Sequence, residues 1–358
     1  MSECKRCLFT DDFAEIGEHQ CEYCDIHDSL EEQSKPHEID KMIQKIDKKG
    51  GLKKYNCIMG ISGGLDSSTL LYTAVKKWHL RPLVIHFDNG WNNEQAQSNM
   101  NNLIHRLNVD AIIYKVNAKE YDDLNKSFLM SGTPDCDIPN DIAMTKFMYE
   151  TAHKYKIKYI LNGHCFRTEG STPKGWTYMD AKYIKSVYKR FTNKELINYP
   201  LFTFFDQIFY AMKGIKNVRP FHYMFISQRK RLEDEMKEFI SWQDYGGKHC
   251  ENIYTEFIGS YVLPKYFDID KSIVYLSAQV RSKQITKRRA KQLLRKKPKF
   301  DKKKMKNFKQ YDDLIKKNFK LQRYDFDRYD FKKYKAFIWI LYKLKVVPYT
   351  FYKFFFFF

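Results

Sequence analysis

The 358-residue sequence predicts an α/β fold: a twisted parallel sheet with helices on both faces, a small cysteine-rich N-terminal module and a mostly helical C-terminal part. Three observations lead to this prediction. Short apolar runs alternate with helix-length runs between residues 55 and 161. A Ser-Gly-Gly turn follows the first apolar run, and two Cys-x-x-Cys pairs stand within the first 24 residues.

The elements of the sheet are predicted in chain order. Residues 55–61 form a first strand that ends in the glycine-rich turn, and a helix should run from about residue 66 to 78. The remaining elements are strands at 82–87, 111–116 and 158–161 and helices at about 94–107 and 142–153. Because ligands of parallel sheets bind beyond the carboxyl ends of the strands, the site is expected at the turns 62–67, 88–91 and 162–164.

The N-terminal module, residues 1–27, carries Cys4, Cys7, Cys21 and Cys24. Paired Cys-x-x-Cys spacing is typical of a zinc knuckle, in which four thiolates fill a tetrahedral Zn²⁺ site that is structural and not catalytic. Four ordinary or redox-active cysteines are the alternative. Clustered cysteines and the absence of an apolar leader predict a cytoplasmic protein.

The formal net charge of +20 allows two interpretations. Clusters of Lys and Arg bind polyanions, which suggests nucleic acid. Compositional bias is the alternative, since the chain also holds 26 Tyr and 28 Phe, and much of the positive charge follows Arg281. We favour the bias, so nucleic acid is not the expected partner.

The chain beyond residue 170 shows no clear sheet rhythm. Residues 28–170 are predicted as the core domain, 171–295 as a mostly helical region that completes the substrate site, and 296–358 as a tail rich in Lys and Phe. Residues 337–358 are apolar, but Lys343, Lys345, Lys353 and Pro348 argue against a membrane span. An ordinary or frayed C-terminus is expected, and peripheral contact with a membrane is the alternative.

The turn Ser62-Gly63-Gly64-Leu65-Asp66-Ser67-Ser68 predicts a phosphate-binding loop. Two glycines let the backbone approach a ligand closely, and the amides that open the following helix favour an anion. The hydroxyls of Ser62, Ser67 and Ser68 add donors, whereas Asp66 would repel a bare phosphate and is assigned to Mg²⁺. The Walker pattern does not occur in the sequence.

The string Ser-Gly-Gly-x-Asp-Ser after a first strand resembles the signature of the PP-loop ATP pyrophosphatases, whose fold is of the adenine nucleotide alpha hydrolase type. The resemblance implies ATP as substrate and cleavage between its α- and β-phosphates. It also implies that Asp88, after the second strand, and Gly163 and His164, after a later strand, contact the nucleotide. For Asp88 a structural cap at the strand end is the alternative.

Further strings resemble the N-acetyl sugar amidotransferases of bacterial surface-polysaccharide and lipopolysaccharide biosynthesis. They are His86-Phe87-Asp88-Asn89-Gly90-Trp91-Asn92, Thr133-Pro134-Asp135-Cys136-Asp137-Ile138-Pro139 and Tyr245-Gly246-Gly247-Lys248-His249-Cys250-Glu251. The resemblance covers residues 4 to about 295. It implies that ATP adenylates the N-acetyl group of a sugar, which is expected to be nucleotide-linked, and that ammonia displaces AMP to leave an acetamidino group. A separate glutaminase subunit is the implied source of ammonia.

The remaining site residues are assigned from their residue types. Lys248 and His249, which follow two glycines, are candidates for stabilising the imidate or pyrophosphate, with a solvated Lys and a packed His as the alternative. Asp135 and Asp137 are candidates for Mg²⁺ or sugar hydroxyls, with a simple turn as the alternative. Arg219 is a further phosphate candidate.

Two rival functions remain open. A PP-loop enzyme that thiolates tRNA would also combine adenylation with cysteines, but Cys136 and Cys165 form no Cys-x-x-Cys pair. A zinc-knuckle protein that binds nucleic acid would use the basic, aromatic C-terminal half for single strands. The intact Ser62–Ser67 string argues against that second, non-enzymatic function.

Overall fold

The computed structural model describes residues 2–36, 38–296, 299–318 and 326–344. The last residues of the predicted tail, 345–358, lie outside the described residues, and with them Lys345, Pro348, Lys353 and the terminal run of Phe. The predicted domain boundaries at residues 27, 170 and 295 stay predictions.

The sheet has five parallel strands in the order β3-β2-β1-β4-β5. They are β1 Cys57–Gly60, β2 Pro82–Asp88, β3 Ala111–Lys115, β4 Tyr159–Leu161 and β5 Lys216–Val218. The central strand β1 pairs with β2 on one side and β4 on the other, so Ile58 lies opposite Leu83 and Ile160. The strand order reverses its direction between β1 and β4, which opens a crevice at the carboxyl ends of these two strands.

Helices cover the sheet and continue into the C-terminal part. Among the described residues they are α1 Glu22–Gln33, α2 Glu38–Gly50, α3 Leu65–Lys76, α4 Glu94–Leu107, α5 Ala118–Met130, α6 Ile138–Lys154, α7 Phe166–Glu169, α8 Ala181–Thr192, α9 Phe204–Met212, α10 Ile226–Ile240, α11 Ile253–Phe257, α12 Leu263–Tyr266, α13 Ser272–Arg281, α14 Lys287–Leu294, α15 Lys302–Asn318 and α16 Lys335–Lys343. Short 3₁₀ turns at Pro220–Tyr223 and Phe331–Tyr334 and a π turn at Ile258–Val262 join them.

Two hydrophobic cores lie on opposite faces of the sheet, as the period of two along β1 requires. Cys57 and Met59 point into one core with α2, α3, α4 and α10. Ile58 points into the other core with α5, α6 and α8. This arrangement confirms the predicted fold class.

The predicted elements are present, with ends that differ by up to four residues. α6 begins at Ile138 and not near residue 142, because Pro139 occupies its first turn, where a missing amide costs nothing. The region beyond residue 170, predicted as mostly helical, also contributes the short strand β5, which pairs Lys216 with Tyr159. Three residues, mostly exposed, at a sheet edge give no apolar run that could be recognised.

A buried carboxylate, Asp312 on α15, ties the C-terminal helices together. Its oxygens accept hydrogen bonds from Tyr261 at 2.9 Å and Tyr266 at 2.7 Å, and they form ion pairs with Lys265 at 3.3 Å and Lys316 at 2.5 Å. Burial opposes ionisation, but these donors outweigh it and lower the pKa of Asp312 to about 2. The carboxylate is therefore held in its charged form.

We expect Asp312→Asn to lower the free energy of unfolding by about 2 kcal/mol at pH 7. A depressed pKa stabilises the fold above its unfolded value of 3.8, and this contribution is lost as the pH falls through about 2. Urea unfolding at pH 7 and at pH 3 measures the difference. Asp313→Asn is the control, because its half-exposed carboxylate reaches only Lys316, at 3.8 Å. Equal losses in both variants at pH 7 would contradict the assignment.

Candidate active site and metal centre

A cavity of about 1080 Å³ opens at the carboxyl ends of the strands. Its wall includes residues from the three predicted turns, after β1, β2 and β4, and from the loop that precedes α11. The structure thus brings together segments that are separated by more than 180 residues in the chain. These residues are Ser62, Gly64, Asp66, Ser67, His86, Asn89, Asn92, Asn162, Gly163, His164, Lys248, His249 and Glu251.

The loop after β1 closes on itself at the N-terminus of α3. The hydroxyls of Ser62 and Ser67 lie 3.3 Å apart, the Ser67 hydroxyl donates to the Gly64 carbonyl at 3.2 Å, and the Ser62 hydroxyl accepts from the Gly64 amide at 3.3 Å. Gly63 has φ +79°, and a Cβ there would lie 1.9 Å from the Ala96 carbonyl oxygen. The backbone can pass α4 this closely only with glycine at that position.

Gly63→Ala should therefore destroy this loop, whereas Gly90→Ala should be tolerated. Both glycines have positive φ, +79° and +82°, so both variants pay a similar conformational cost of about 1 kcal/mol. Only at Gly63 does the new methyl group collide with backbone, since Gly90 has open space around it. Thermal unfolding and ATP binding measure the difference. Equal losses in the two variants would contradict the proposed close approach.

A network of opposite charges stands directly over the loop. Asp66, at the start of α3, forms a close ion pair with Arg229 of α10 and lies 3.5 Å from the Lys248 ammonium. Lys248 is also 3.5 Å from Glu169, whose carboxylate pairs closely with the His164 ring. Two carboxylates and three basic groups thus face one another where a charged ligand would enter.

The two carboxylates of this network have opposite pKa shifts. Burial raises the pKa of Asp66 above its usual 3.8, although Arg229 and Lys248 oppose this. Burial acts on Glu169 too, but His164 and Lys248 outweigh it and lower the pKa of Glu169 below 4.5. Asp66 is therefore the carboxylate whose charge depends more on what else is bound.

Residues 244–251 form a loop that brings Lys248 and His249 to the site. Gly246 and Gly247 have φ of +113° and +123°, and the Tyr245 carbonyl accepts a hydrogen bond from the Asn93 side chain at 3.3 Å. Desolvation by the cavity walls and the adjacent Lys248 charge lower the pKa of His249 to about 4. His249 is thus a neutral imidazole at pH 7 and contributes no charge there.

Five of the sequence-predicted residues lie outside the cavity wall, and Gly63, which packs against α4, is one of them. Asp88 accepts from the Gly90 amide at 3.0 Å and the Asn92 side chain at 2.9 Å, which is the strand-end cap considered above. Asp135 accepts from Thr133 in its own turn and from Tyr183 on α8. Ser68 is fully buried within α3, and Arg219 precedes the 3₁₀ turn at Pro220–Tyr223.

Asp137 does line the cavity, and it accepts a hydrogen bond from Asn140 at 2.6 Å. Burial raises its pKa, while the Lys271 charge lowers it. Of the two predicted aspartates in this turn, Asp137 is therefore the one that can reach a ligand. Its place at the start of α6 puts it on the side of the cavity away from α10.

Sequence reasoning missed Arg229, Glu169 and Glu251, all of which line the site. Glu169 could have been found, because it follows the Asn162-Gly163-His164 turn by five residues, within a short helix. Arg229 carries no local motif, and only the packing of α10 on α3 places it beside a residue 163 positions earlier.

The four N-terminal cysteines form a separate, fully buried cluster. The Sγ atoms of Cys4 and Cys24 are 3.8 Å apart, those of Cys7 and Cys21 are 3.7 Å apart, and those of Cys21 and Cys24 are 3.7 Å apart. All four ligand atoms lie within 4.8 Å of one another. A tetrahedral zinc with Zn–S bonds of about 2.3 Å separates its sulfurs by about 3.8 Å. The cluster can therefore hold one metal ion.

The cysteine cluster rests on α13, a helix that also lines the cavity. The Arg281 guanidinium donates to Cys7 Sγ at 3.2 Å and stacks on the Phe9 ring, with 4.7 Å between guanidinium carbon and ring centroid. The Leu8 amide donates to the Ser277 hydroxyl at 3.3 Å. On α13, Tyr275 faces the cavity. The cluster thus supports one wall of the candidate active site.

The C-terminal part of the chain is similar to a known protein family. Residues 251–352 match the family model of the C-terminal domain of WbpG-like lipopolysaccharide (LPS) biosynthesis proteins. This part of the chain is similar to that domain. The WbpG-like segment begins at Glu251 in the cavity wall and includes α11 to α16. The match confirms the resemblance to proteins of lipopolysaccharide biosynthesis.

Three further proteins are similar to parts of this chain. The uncharacterised protein MJ1599 of Methanocaldococcus jannaschii is 28% identical over 127 residues, which are 36% of this chain and 44% of that protein. The U34-tRNA thiolase NcsA from Methanococcus maripaludis, solved with its [4Fe-4S] cluster, aligns over 83% of this chain and 89% of its own, at 14% identity and TM-score 0.35. The NMN synthetase from Francisella tularensis aligns over 57% and 95%, at 14% identity and TM-score 0.28.

Within the described ranges, none of the helices combines the length and the apolar character needed to cross a bilayer.

Proposed function

We propose that the chain adenylates the N-acetyl oxygen of a nucleotide-linked sugar with ATP and replaces that oxygen with ammonia, forming an acetamidino sugar, AMP and pyrophosphate. One observation carries the proposal: the Ser62–Ser67 loop, Lys248 and Arg229 converge at the strand-order reversal of a parallel sheet. Loop amides and cations placed together suit a departing diphosphate. The LPS-biosynthesis match of residues 251–352 favours a sugar as acceptor.

The residues of the chain act on charge and position in this proposal. The amide oxygen attacks the α-phosphorus, the bond to the β-phosphate oxygen breaks, and negative charge grows on pyrophosphate next to the amides of Gly64 and Leu65. Lys248 would leave Asp66 and Glu169 to meet that charge. Ammonia then attacks the imidate carbon, a proton is lost, and AMP departs with the former amide oxygen.

The cavity also has the residues that Mg²⁺ needs. Mg²⁺ in nucleotide sites takes one or two carboxylates together with phosphate oxygens, and it would neutralise pyrophosphate charge. Asp66 lies within the Ser62–Ser67 loop, and the carboxyl carbon of Glu251 would lie 3.3 Å from a Cβ on Gly64. Asp137, across the cavity, is placed for the sugar. Zn²⁺ is proposed for the four-cysteine cluster because its sulfur spacing fits a single tetrahedral ion.

The test combines purified protein, Mg-ATP, an ammonium salt and a panel of nucleotide-linked N-acetyl sugars. We expect AMP and pyrophosphate in equal amounts and a sugar product about one mass unit lighter, because NH replaces O. Formation of ADP, or turnover that needs no sugar, would refute the proposal.

Lys248→Met should lower turnover at saturating ATP by about 10²-fold, because the cation that meets the pyrophosphate is lost. The exposed Lys189→Met is the control, since Lys189 pairs only with Glu195, on the far surface of α8. The rates of AMP release at saturating substrates measure the effect. If Lys248→Met raised only the KM for ATP, Lys248 would bind nucleotide without acting on the transition state.

We propose that a separate glutaminase delivers the ammonia in the cytoplasm. Among the described cysteines, the one in the cavity wall is Cys250, and burial raises its pKa to about 12, so it is a thiol and not the thiolate that glutamine hydrolysis needs. Glutamine in place of ammonium should therefore give no product with this chain alone.

tRNA thiolation is the second candidate function. It needs sulfur-handling cysteines at the site, and Cys136 and Cys165 are buried away from the cavity wall. AMP formation that depended on tRNA and a sulfur donor, with no response to sugars, would favour it over amide replacement.

A further inference from the structure

The described surface carries one concentration of exposed apolar side chains, on α9 and α16. These two helices are short, and they pack together through Phe204, Ile208 and the fully buried Ile338. The side chains that they leave exposed are Phe205, Phe209 and Met212 on α9, and Phe337, Trp339, Ile340 and Leu344 on or next to α16. We call these seven residues the α9–α16 surface. They are half of the fourteen large hydrophobic residues exposed in the described part of the chain.

The spacing of the exposed residues places most of them on one face of each helix. Phe205, Phe209 and Met212 follow one another at intervals of four and three residues, so they share one face of α9. Phe337, Ile340 and Leu344 do the same along α16, and Trp339 lies on its other flank. An exposed apolar patch of this kind, which the core does not use, indicates a binding surface.

The charges on this surface are positive. Lys213 lies over the Phe209 ring at 5.2 Å, and Lys343 lies over the Trp339 ring at 5.4 Å. α16 contains no acidic residue, and Asp206, on α9, is engaged by Lys146 at 2.8 Å. Each helix therefore presents an aromatic ring with an ammonium group directly beside it.

The chain that follows α16 has the same character. Residues 345–358 read Lys-Val-Val-Pro-Tyr-Thr-Phe-Tyr-Lys-Phe-Phe-Phe-Phe-Phe, without an acidic residue. Aromatic and aliphatic side chains interleaved with lysine are the signature of segments that lie in the interface of a bilayer with anionic lipids. We propose that the α9–α16 surface docks the enzyme peripherally on an anionic membrane surface, with the rings at the headgroup level and the lysines at the lipid phosphates.

Vesicle co-sedimentation of the full chain tests this proposal. Vesicles of phosphatidylcholine alone are compared with vesicles that contain roughly 30% phosphatidylglycerol, at low and at physiological salt. We expect binding to the anionic vesicles only, and weaker binding as the salt concentration rises.

Two double variants separate the surface from the rest of the chain. Trp339→Glu with Ile340→Glu removes the apolar contact, and Lys213→Glu with Lys343→Glu inverts the charge. Each should lower binding to anionic vesicles by about tenfold or more. Leu52→Glu with Ile197→Glu is the matched control, because these exposed apolar residues lie elsewhere, and it should bind like the wild type.

The other occupants of the surface give different results. If both surface variants bound vesicles at the wild-type level, the binding would arise from residues 345–358 or from the net positive charge of the chain. This result would overturn the proposal. The absence of vesicle binding by the wild type would overturn it too, and a dimer that the tryptophan variant alone dissociates would show that a second copy covers the surface. Circular dichroism of every variant checks that a loss of binding is not a loss of fold.

Discussion

Asp66→Asn should lower the rate of AMP and pyrophosphate formation by about 10²-fold or more while leaving the metal content of the N-terminal cluster unchanged. The substitution keeps the size of the side chain and removes its negative charge. Asp66 lies within the Ser62–Ser67 loop, and its carboxylate forms ion pairs with Arg229 and Lys248. Without the charge, the site loses both its carboxylate for Mg²⁺ and the group that positions Lys248 before ATP enters.

A structural role alone would give a different pattern. Arg229 keeps its ion pair with Glu233 at 3.1 Å in the variant, so the free energy of unfolding should fall by only about 1–2 kcal/mol. Turnover measured across a range of Mg²⁺ concentrations separates the two roles. We expect the wild type to saturate and Asp66→Asn to stay low even at high Mg²⁺.

Asp234→Asn is the control for Asp66→Asn, because Asp234 is an exposed carboxylate on the same helix as Arg229 and pairs only with Lys230. It should retain wild-type turnover. If Asp66→Asn turned over at the same rate as this control, Asp66 would be no more than a partner of Arg229, and the Mg²⁺ assignment would fail.

The parts of the fold that could be predicted are those in which neighbouring residues form a recognisable sequence pattern. β1 is a short apolar run that ends in a Ser-Gly-Gly turn, so both were recognisable. β5 was missed because three residues at an edge bury little and leave no periodic pattern. α5 was not predicted, although Tyr121, Leu124 and Phe128 have the spacing of a helix face.

The residues of the candidate site fall into the same two groups, those with a local sequence pattern and those that only tertiary packing brings to the site. The loop residues Ser62, Gly63 and Gly64 were found because a backbone that approaches a ligand demands particular residue types at adjacent positions. Arg229 was missed because its role arises from the packing of α10 against α3, and one arginine among many gives no signal. Asp88 was predicted to contact the nucleotide because it follows β2. Its hydrogen bonds to Gly90 and Asn92 favour the alternative, a structural cap at the strand end.

Cys7→Ser should abolish metal binding by the N-terminal cluster and unfold the module around it, at a cost of several kcal/mol. The module has a small core in which Phe9 and Tyr23 pack beside the cysteines, so the metal supplies stability that burial cannot. Serine is a poor ligand for a soft-metal site, and the Arg281 guanidinium would lose its thiolate partner. Because α13 carries both Arg281 and the cavity residue Tyr275, the KM for the substrates should rise as well.

Metal analysis and thermal unfolding of Cys7→Ser, compared with Cys57→Ser, decide this prediction. Cys57 is as deeply buried but lies in β1, outside the cluster, so its replacement should lower stability and leave one metal ion per chain in place. If the wild type contains zinc and is colourless, the result agrees with the Sγ–Sγ distances of 3.7–3.8 Å, which fit a single ion. Iron and inorganic sulfide with visible absorption would contradict it, because a multinuclear cluster holds its cysteines farther apart than these distances allow.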